Sequence, residues 1–264
     1  PLSAARVGRT RRVPPMISQA SLTQAARTQQ TTELNVAREY CQHLFLSAFY
    51  RQAGSEQVMF KGGTALRIVF GSPRFSEDLD FSGFSITVDS IENWVLDATG
   101  EIEQHGIGVQ AEESKTTSGG YLATLDCHPH DYPVRILIEI SLRAQRKGTS
   151  QRSAVSGQGM LITPDFLPAY TLTLLPESLL IEEKLNALLT RGKPRDYFDV
   201  YFLLRKGMIT VEQKTRLAEV KQRLQASKMN FQRELSTFLP RSHHAVLKNF
   251  RQALAFTNRV GELA

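Results

Sequence analysis

Residues 74–81, Arg-Phe-Ser-Glu-Asp-Leu-Asp-Phe, set two carboxylates, Asp78 and Asp80, one apolar residue apart. Acidic residues are poor strand formers, so a Glu-Asp-Leu-Asp run inside an extended segment needs a compensating partner. In a strand, side chains at i and i+2 point to the same side. Asp78 and Asp80 then project together while Leu79 and Phe81 turn into a core. Side-by-side carboxylates repel unless a cation lies between them. A hard divalent ion such as Mg²⁺ (Mn²⁺ in its place), with a nucleotide's phosphates completing the coordination, is the usual solution. The alternative is a solvent-facing edge strand whose polar side also includes Glu77.

Directly upstream, Gln57–Phe60 reads as a short strand ending in the Gly62-Gly63-Thr64 turn, followed by a helix that stops at Gly71. Strand, tight glycine turn and helix start together present backbone N–H groups to an anion; otherwise the pair of glycines is a plain β–α turn. In residues 133–141, Val134, Ile136, Ile138 and Ile140 face one way and Arg135, Leu137, Glu139 and Ser141 the other. Glu139 is either an ion-pair partner for Arg135 or, should its strand lie beside the Asp78–Asp80 segment, a third metal ligand or general base. Lys184 is flanked by Leu180, Ile181, Ala187 and Leu188 at helical spacing. A lysine on an apolar face either meets an anion, such as a triphosphate, or snorkels its ammonium into water. Asp199 shares a helix face with Arg195 and is read as an i,i+4 ion pair or as a carboxylate aimed at a cleft.

The chain of 264 residues has a 41% hydrophobic and 22% charged composition, ordinary for a folded protein with a real core. It contains no apolar run of membrane-spanning length, and its N-terminus lacks the apolar core of a secretory signal, so a cytoplasmic address and no membrane partner are expected. Two cysteines, Cys41 and Cys127, are too few for a disulfide framework or thiolate metal site. The net charge of +6 suggests a polyanionic partner. Arg6, Arg9, Arg11 and Arg12 carry part of it, in a polar, aperiodic stretch expected to form a disordered tail over 1–30; Met16 inside it is a candidate start, with 1–15 an upstream extension.

An amphipathic helix packing on one face is expected over 32–51, a strand over 74–81, a helix over 90–105, and strands over 106–112, 121–127 and 133–141. Residues 143–159, rich in Gly, Ser, Gln and Arg, read as a loop and the best candidate for a mobile segment or RNA contact. Beyond Pro176, helices are expected over 177–190, 195–206 (with Gly207 as its C-terminal stop), 210–226, 228–238 and 243–259. The pattern is α+β, with a first domain over 31–170 and a helical one over 171–264 completing a cleft. Lys221, Arg223, Lys228, Arg233, Arg241, Lys248 and Arg251 give the helical part a basic wall that either faces RNA or is a solvated surface.

Four blocks, Lys-Gly-Gly-Thr-Ala-Leu (61–66), Arg-Phe-Ser-Glu-Asp-Leu-Asp-Phe (74–81), Glu-Glu-Lys-Leu-Asn-Ala-Leu (182–188) and Arg-Asp-Tyr-Phe-Asp-Val-Tyr (195–201), resemble the AbiEii/AbiGii toxin family of nucleotidyltransferases, including the MenT-like toxins, within the DNA-polymerase-β-like superfamily. The resemblance implies a mixed sheet flanked by helices over 31–170, Mg²⁺ on Asp78 and Asp80, and phosphate contacts from Gly62, Gly63, Thr64 and Ser76. It further implies a triphosphate on Lys184, an essential acidic group at Asp199, and Glu139 in place of the superfamily's third strand carboxylate, where Asp is common. Members act as toxins of type IV toxin–antitoxin or abortive-infection systems, each with a cognate antitoxin. Some add nucleotides to the 3′ end of tRNA and so block translation. The resemblance leaves the base and the acceptor open. Nucleotidylation of a protein hydroxyl, phosphorylation of a target, and a non-catalytic nucleotide-binding module are the rival readings; the intact Asp-Leu-Asp argues against the last.

Overall fold

The computed structural model describes residues 16–143 and 155–255. Helix α1 (Gln19–Thr28) leads into α2 (Glu33–Phe49), each opened by a hydroxyl cap: Ser18 accepts from the Ser21 N–H and Thr32 from the Asn35 N–H. Strand β1 (Val58–Lys61) runs into the short α3 (Gly62–Ile68); β2 (Leu79–Phe84) and α4 (Val88–Gln104) follow. Then come β3 (Gly108–Thr117), β4 (Gly120–His128), β5 (Val134–Arg143) and a hairpin of β6 (Gln158–Ile162) and β7 (Tyr170–Leu174). The remainder is helical: α5 (Glu177–Thr190), α6 (Pro194–Arg205), α7 (Val211–Lys214), α8 (Leu217–Ala226), α9 (Phe231–Leu235) and α10 (His244–Lys248), with 250–255 helical again. Among the described residues no helix is long and apolar enough to cross a membrane.

The strands form one mixed sheet in the order β3-β4-β5-β2-β1-β7-β6. β2 lies parallel to β5 and antiparallel to β1, while β1 is parallel to β7. Alternation decides its two faces. Leu79, Phe81, Ile138 and Ile140 are fully buried on one side. There Phe81 packs 5.3 Å from Phe60 and 5.6 Å from Phe49 of α2, and Phe49 in turn meets Trp94 of α4. Lys61, Asp80 and Glu139 are register partners across β1, β2 and β5 and share the opposite face. Edge strand β3 is exposed almost throughout, and a bulge between Ala111 and Glu113 interrupts its pairing.

Several expectations need correction. Residues 19–28 are not part of a disordered tail: Leu22 and Ala26 are buried, and the Ile17 N–H donates to the Tyr40 hydroxyl at 3.2 Å while the Ile17 carbonyl is bonded to His130 Nε2. Polar composition hid a helix whose few apolar residues all face inward. The arginines at 6–12 and the candidate start extension at 1–15 lie outside the described residues, as does most of the 143–159 loop. Helix α2 does not pack on one face alone; Arg38, Gln42 and Asn35 are buried with its apolar residues because α1, α4 and the sheet surround it. The carboxylate-bearing strand begins at Leu79, not Arg74, and runs on to Phe84. Helix 210–226 is broken at Thr215–Arg216, 228–238 shortens to α9 plus a 3₁₀ turn, and 243–259 breaks at Asn249. Gly207 does close α6, with φ +69° and its N–H on the Leu204 carbonyl.

Candidate active site

Residues 74–78 leave the ladder because their polar groups have other partners. The Phe75 N–H donates to the Phe238 carbonyl at 2.8 Å. Gln42 Nε2 donates to the carbonyls of Ser76 and Glu77 at 3.0 and 3.1 Å. The Thr64 hydroxyl donates to the Asp78 carbonyl. The segment is therefore pinned by α2, α3 and the helical half, and it delivers Asp78 to the end of β2 beside Asp80.

Both carboxyls are raised, chiefly by burial. Burial pushes Asp80 above the ordinary carboxyl range; Lys184 eases it and Asp78 raises it again. Burial likewise raises Asp78, with Arg195 easing it and Glu77 and Glu139 adding to the rise. Glu139 is the register partner of Asp80, so the strand adjacency on which its assignment depended is present. Among the described residues, however, no group of three or more His, Cys, Asp or Glu closes into a metal cluster. Glu139, exposed on β5, lies next to Asp80 in register.

The turn before α3 fits this arrangement through its missing side chains. Gly62 has φ +84°, and a Cβ there would collide with the Asp80 carboxylate. A Cβ on Gly63 would collide with the Arg74 guanidinium and lie 2.8 Å from Ser76 Oγ. Gly62 is thus set against Asp80, and Gly63 against Arg74 and Ser76. Thr64 is different: it is fully buried and its hydroxyl serves the Asp78 carbonyl, so it holds the loop and does not offer that hydroxyl to a ligand.

The helical half supplies the cations. Lys184 on α5 does not snorkel; its ammonium is buried 2.7 Å from Asp199 Oδ2. Asp199 on α6 is neither paired with Arg195 nor open to a cleft. It is buried and gripped by the Arg74 guanidinium through both oxygens, at 2.8 and 3.0 Å. Burial alone would raise Asp199, but Arg74 and then Lys184 hold it down to about 2. Arg195 instead reaches toward Asp78 Oδ2 at 3.7 Å, and Lys61 pairs with Glu183 of α5 at 2.9 Å. Sequence reasoning assigned no role to Arg74 or Lys61 and gave Arg195 only as an ion-pair partner for Asp199, although all three stand in the motif blocks. Arg74 and Asp199 are 125 positions apart, a pairing that helix or strand spacing cannot show.

Of the basic wall, Arg251 is committed elsewhere. Its guanidinium caps the carbonyls of Leu224, Ser227 and Met229. Lys228, Arg233, Arg241 and Lys248 remain exposed.

A mixed sheet with an acidic pair at the start of a central strand, followed by a helical half with a buried lysine, defines a nucleotidyltransferase fold. The chain belongs to the family described as nucleotidyl transferase AbiEii toxin, type IV toxin–antitoxin system, whose model matches residues 44–258. Among solved structures it is similar to JHP933 of Helicobacter pylori, at 18% identity and TM-score 0.58 over 87% of this chain and 92% of that one. A putative nucleotidyltransferase of H. pylori gives 17% and 0.60 over 87% and 95%. MenT4, a nucleotidyltransferase toxin of Mycobacterium tuberculosis H37Rv, gives 19% and 0.54 over 72% and 65%. No curated protein matches.

Proposed function

We propose that this nucleotidyltransferase moves a nucleoside monophosphate from an NTP to an RNA 3′-hydroxyl, that of tRNA in the first place, and so inhibits translation until a cognate antitoxin intervenes. The observation that carries the reading is the acidic pair at the start of β2, with Asp80 in the field of Lys184 from α5, whose ammonium Asp199 holds. The carboxylate pair fits Mg²⁺: both donors are hard oxygens, and burial disfavours their charges, so a cation is the missing partner. Asp78 and Asp80 would hold it, with Glu139 available beside Asp80, and a bound divalent ion neutralises charge on the reacting phosphate.

The protein's own groups do the rest. Gly62 and Gly63 let the triphosphate come close to the backbone, and Ser76 lends a hydroxyl at the same place. Lys184 offsets charge on the leaving pyrophosphate; Asp199 keeps that ammonium in position. The RNA oxygen attacks the α-phosphorus in line, the P–O bond to pyrophosphate breaks, and the hydroxyl proton leaves to solvent or a nearby carboxylate. Soluble, cytoplasmic action follows from a tRNA substrate.

Incubation with each α- or γ-labelled NTP, Mg²⁺ and total tRNA tests this. α-Label on RNA is expected, with Lys184→Ala about a hundredfold slower. α-Label on protein would instead establish nucleotidylation of a protein, and γ-label transfer a kinase; either replaces the RNA reading.

A further inference from the structure

Arg195 is the site's one loosely held guanidinium. Its Nη1 lies 3.7 Å from Asp78 Oδ2, too far for a hydrogen bond. Its Nε is buried and, among the described residues, has no hydrogen-bond partner. A buried N–H on a permanently charged group costs free energy unless an acceptor arrives. By contrast Arg74 is held by Asp199 and the Phe75 carbonyl, and Glu77 is engaged by Arg38 at 3.3 Å.

Arg195 lines a cavity of about 440 Å³ between the loop before β2 and the helical half. This is the scale of a small-ligand pocket. Ser76, Lys193, Asn230, Glu234 and the Arg38-paired Glu77 lie on its polar side, and Met229, Leu235 and Phe238 supply apolar surface. Lys193 is exposed at the rim, where it adds a second cation. A ligand with a flat apolar part and an anionic group matches the lining; a nucleotide has both.

Resting on the function proposed above, we infer that Arg195, with Lys193, forms a second phosphate site, separate from Lys184, and that the cavity receives the nucleoside attached to that phosphate. Arg195 donates its unsatisfied Nε–H and an Nη–H to the phosphate oxygens in the two-pronged geometry guanidinium favours. The phosphate belongs either to the incoming triphosphate or to the 3′-terminal nucleotide of the acceptor RNA; the chemistry is the same.

Full-length wild type, Arg195→Gln and Arg195→Lys are compared for affinity toward a non-hydrolysable α,β-methylene NTP and, separately, toward a tRNA. A loss of about 10- to 100-fold for the NTP in Arg195→Gln assigns the phosphate to the nucleotide. The same loss for the RNA, with the salt slope reduced by about one, assigns it to the acceptor. Arg195→Lys should recover part of the affinity, because it restores charge but not the fork, and melting temperatures should stay close to wild type. Unchanged affinity for both ligands in a wild-type background that binds and transfers overturns this site alone. A wild type that binds neither ligand overturns the nucleotidyl-transfer reading together with it. Should Arg195→Gln fail to fold, Arg195→Lys and Lys193→Gln provide the same comparison.

Discussion

Asp80 lies opposite Lys61 in the ladder and within the field of Lys184, yet burial still raises its carboxyl pKa. The native state therefore holds the proton more tightly than the unfolded chain does. Its ionised form costs stability at neutral pH, and that cost fades as pH falls through the raised pKa. Asp80→Asn keeps the shape and drops the charge. Without divalent ions at pH 7 it should melt at or above the wild-type temperature while transferring label at least about a hundredfold more slowly. A clearly lower melting point would show that Asp80 is structural. Asp199 has the opposite sign. Held to about 2 against an ordinary value of 3.8, it stabilises fully above the ordinary value, and the contribution is lost as pH falls from about 4 through about 2. Asp199→Asn leaves Arg74 and Lys184 as buried, uncompensated cations and should cost about 3–5 kcal/mol at pH 7. Urea titrations at pH 7 and pH 3 check this, because the gap between variant and wild type should narrow in acid.

At the scale of elements, the turn from β1 into α3 decides whether the acidic pair can sit where it does. Gly62→Ala meets two penalties: a side chain at φ +84°, worth about 1–2 kcal/mol, and a collision with Asp80. The expected result is lost transfer and a lost Mg²⁺-dependent rise in melting temperature, with circular dichroism little changed. The glycines and the alternation of β5 were legible in the sequence because both are short-range rules: a left-handed turn needs glycine, and a strand repeats every two residues. Helix α5 and the closure of α6 at Gly207 were legible for the same reason. What escaped depends on distant partners. The 74–78 segment reads as strand until Phe238, Gln42 and Thr64 take up its polar groups. Asp199 reads as an i,i+4 partner of Arg195 until Arg74 claims it. Strand β7 carries a short-range signal too, with Tyr170, Leu172 and Leu174 alternating inward.

Across the whole molecule, the sheet half and the helical half meet through charge as well as packing. Arg74–Asp199, Lys61–Glu183 and Arg195–Asp78 all cross between them. The Phe75 N–H to Phe238 and Asn35 Nδ2 to the Thr237 carbonyl, at 2.9 Å, add neutral links. Among the described residues the buried apolar side chains from Ile17 to Leu254, Phe75 apart, form one connected cluster, so a division at residue 170 does not separate two cores. One core implies one cooperative transition. Trp94, the single tryptophan, sits on α4 against Phe49 and reports the sheet half, whereas far-ultraviolet dichroism sums the helices of both halves. In urea at pH 7 the two signals should share one midpoint. Asp199→Asn removes the tightest charged link and should lower that midpoint for both probes together if the core is the main tie. Signals that part company in the variant alone would instead make the Arg74–Asp199 pair the element that couples the halves, and signals already separate in wild type would establish two independently folding domains.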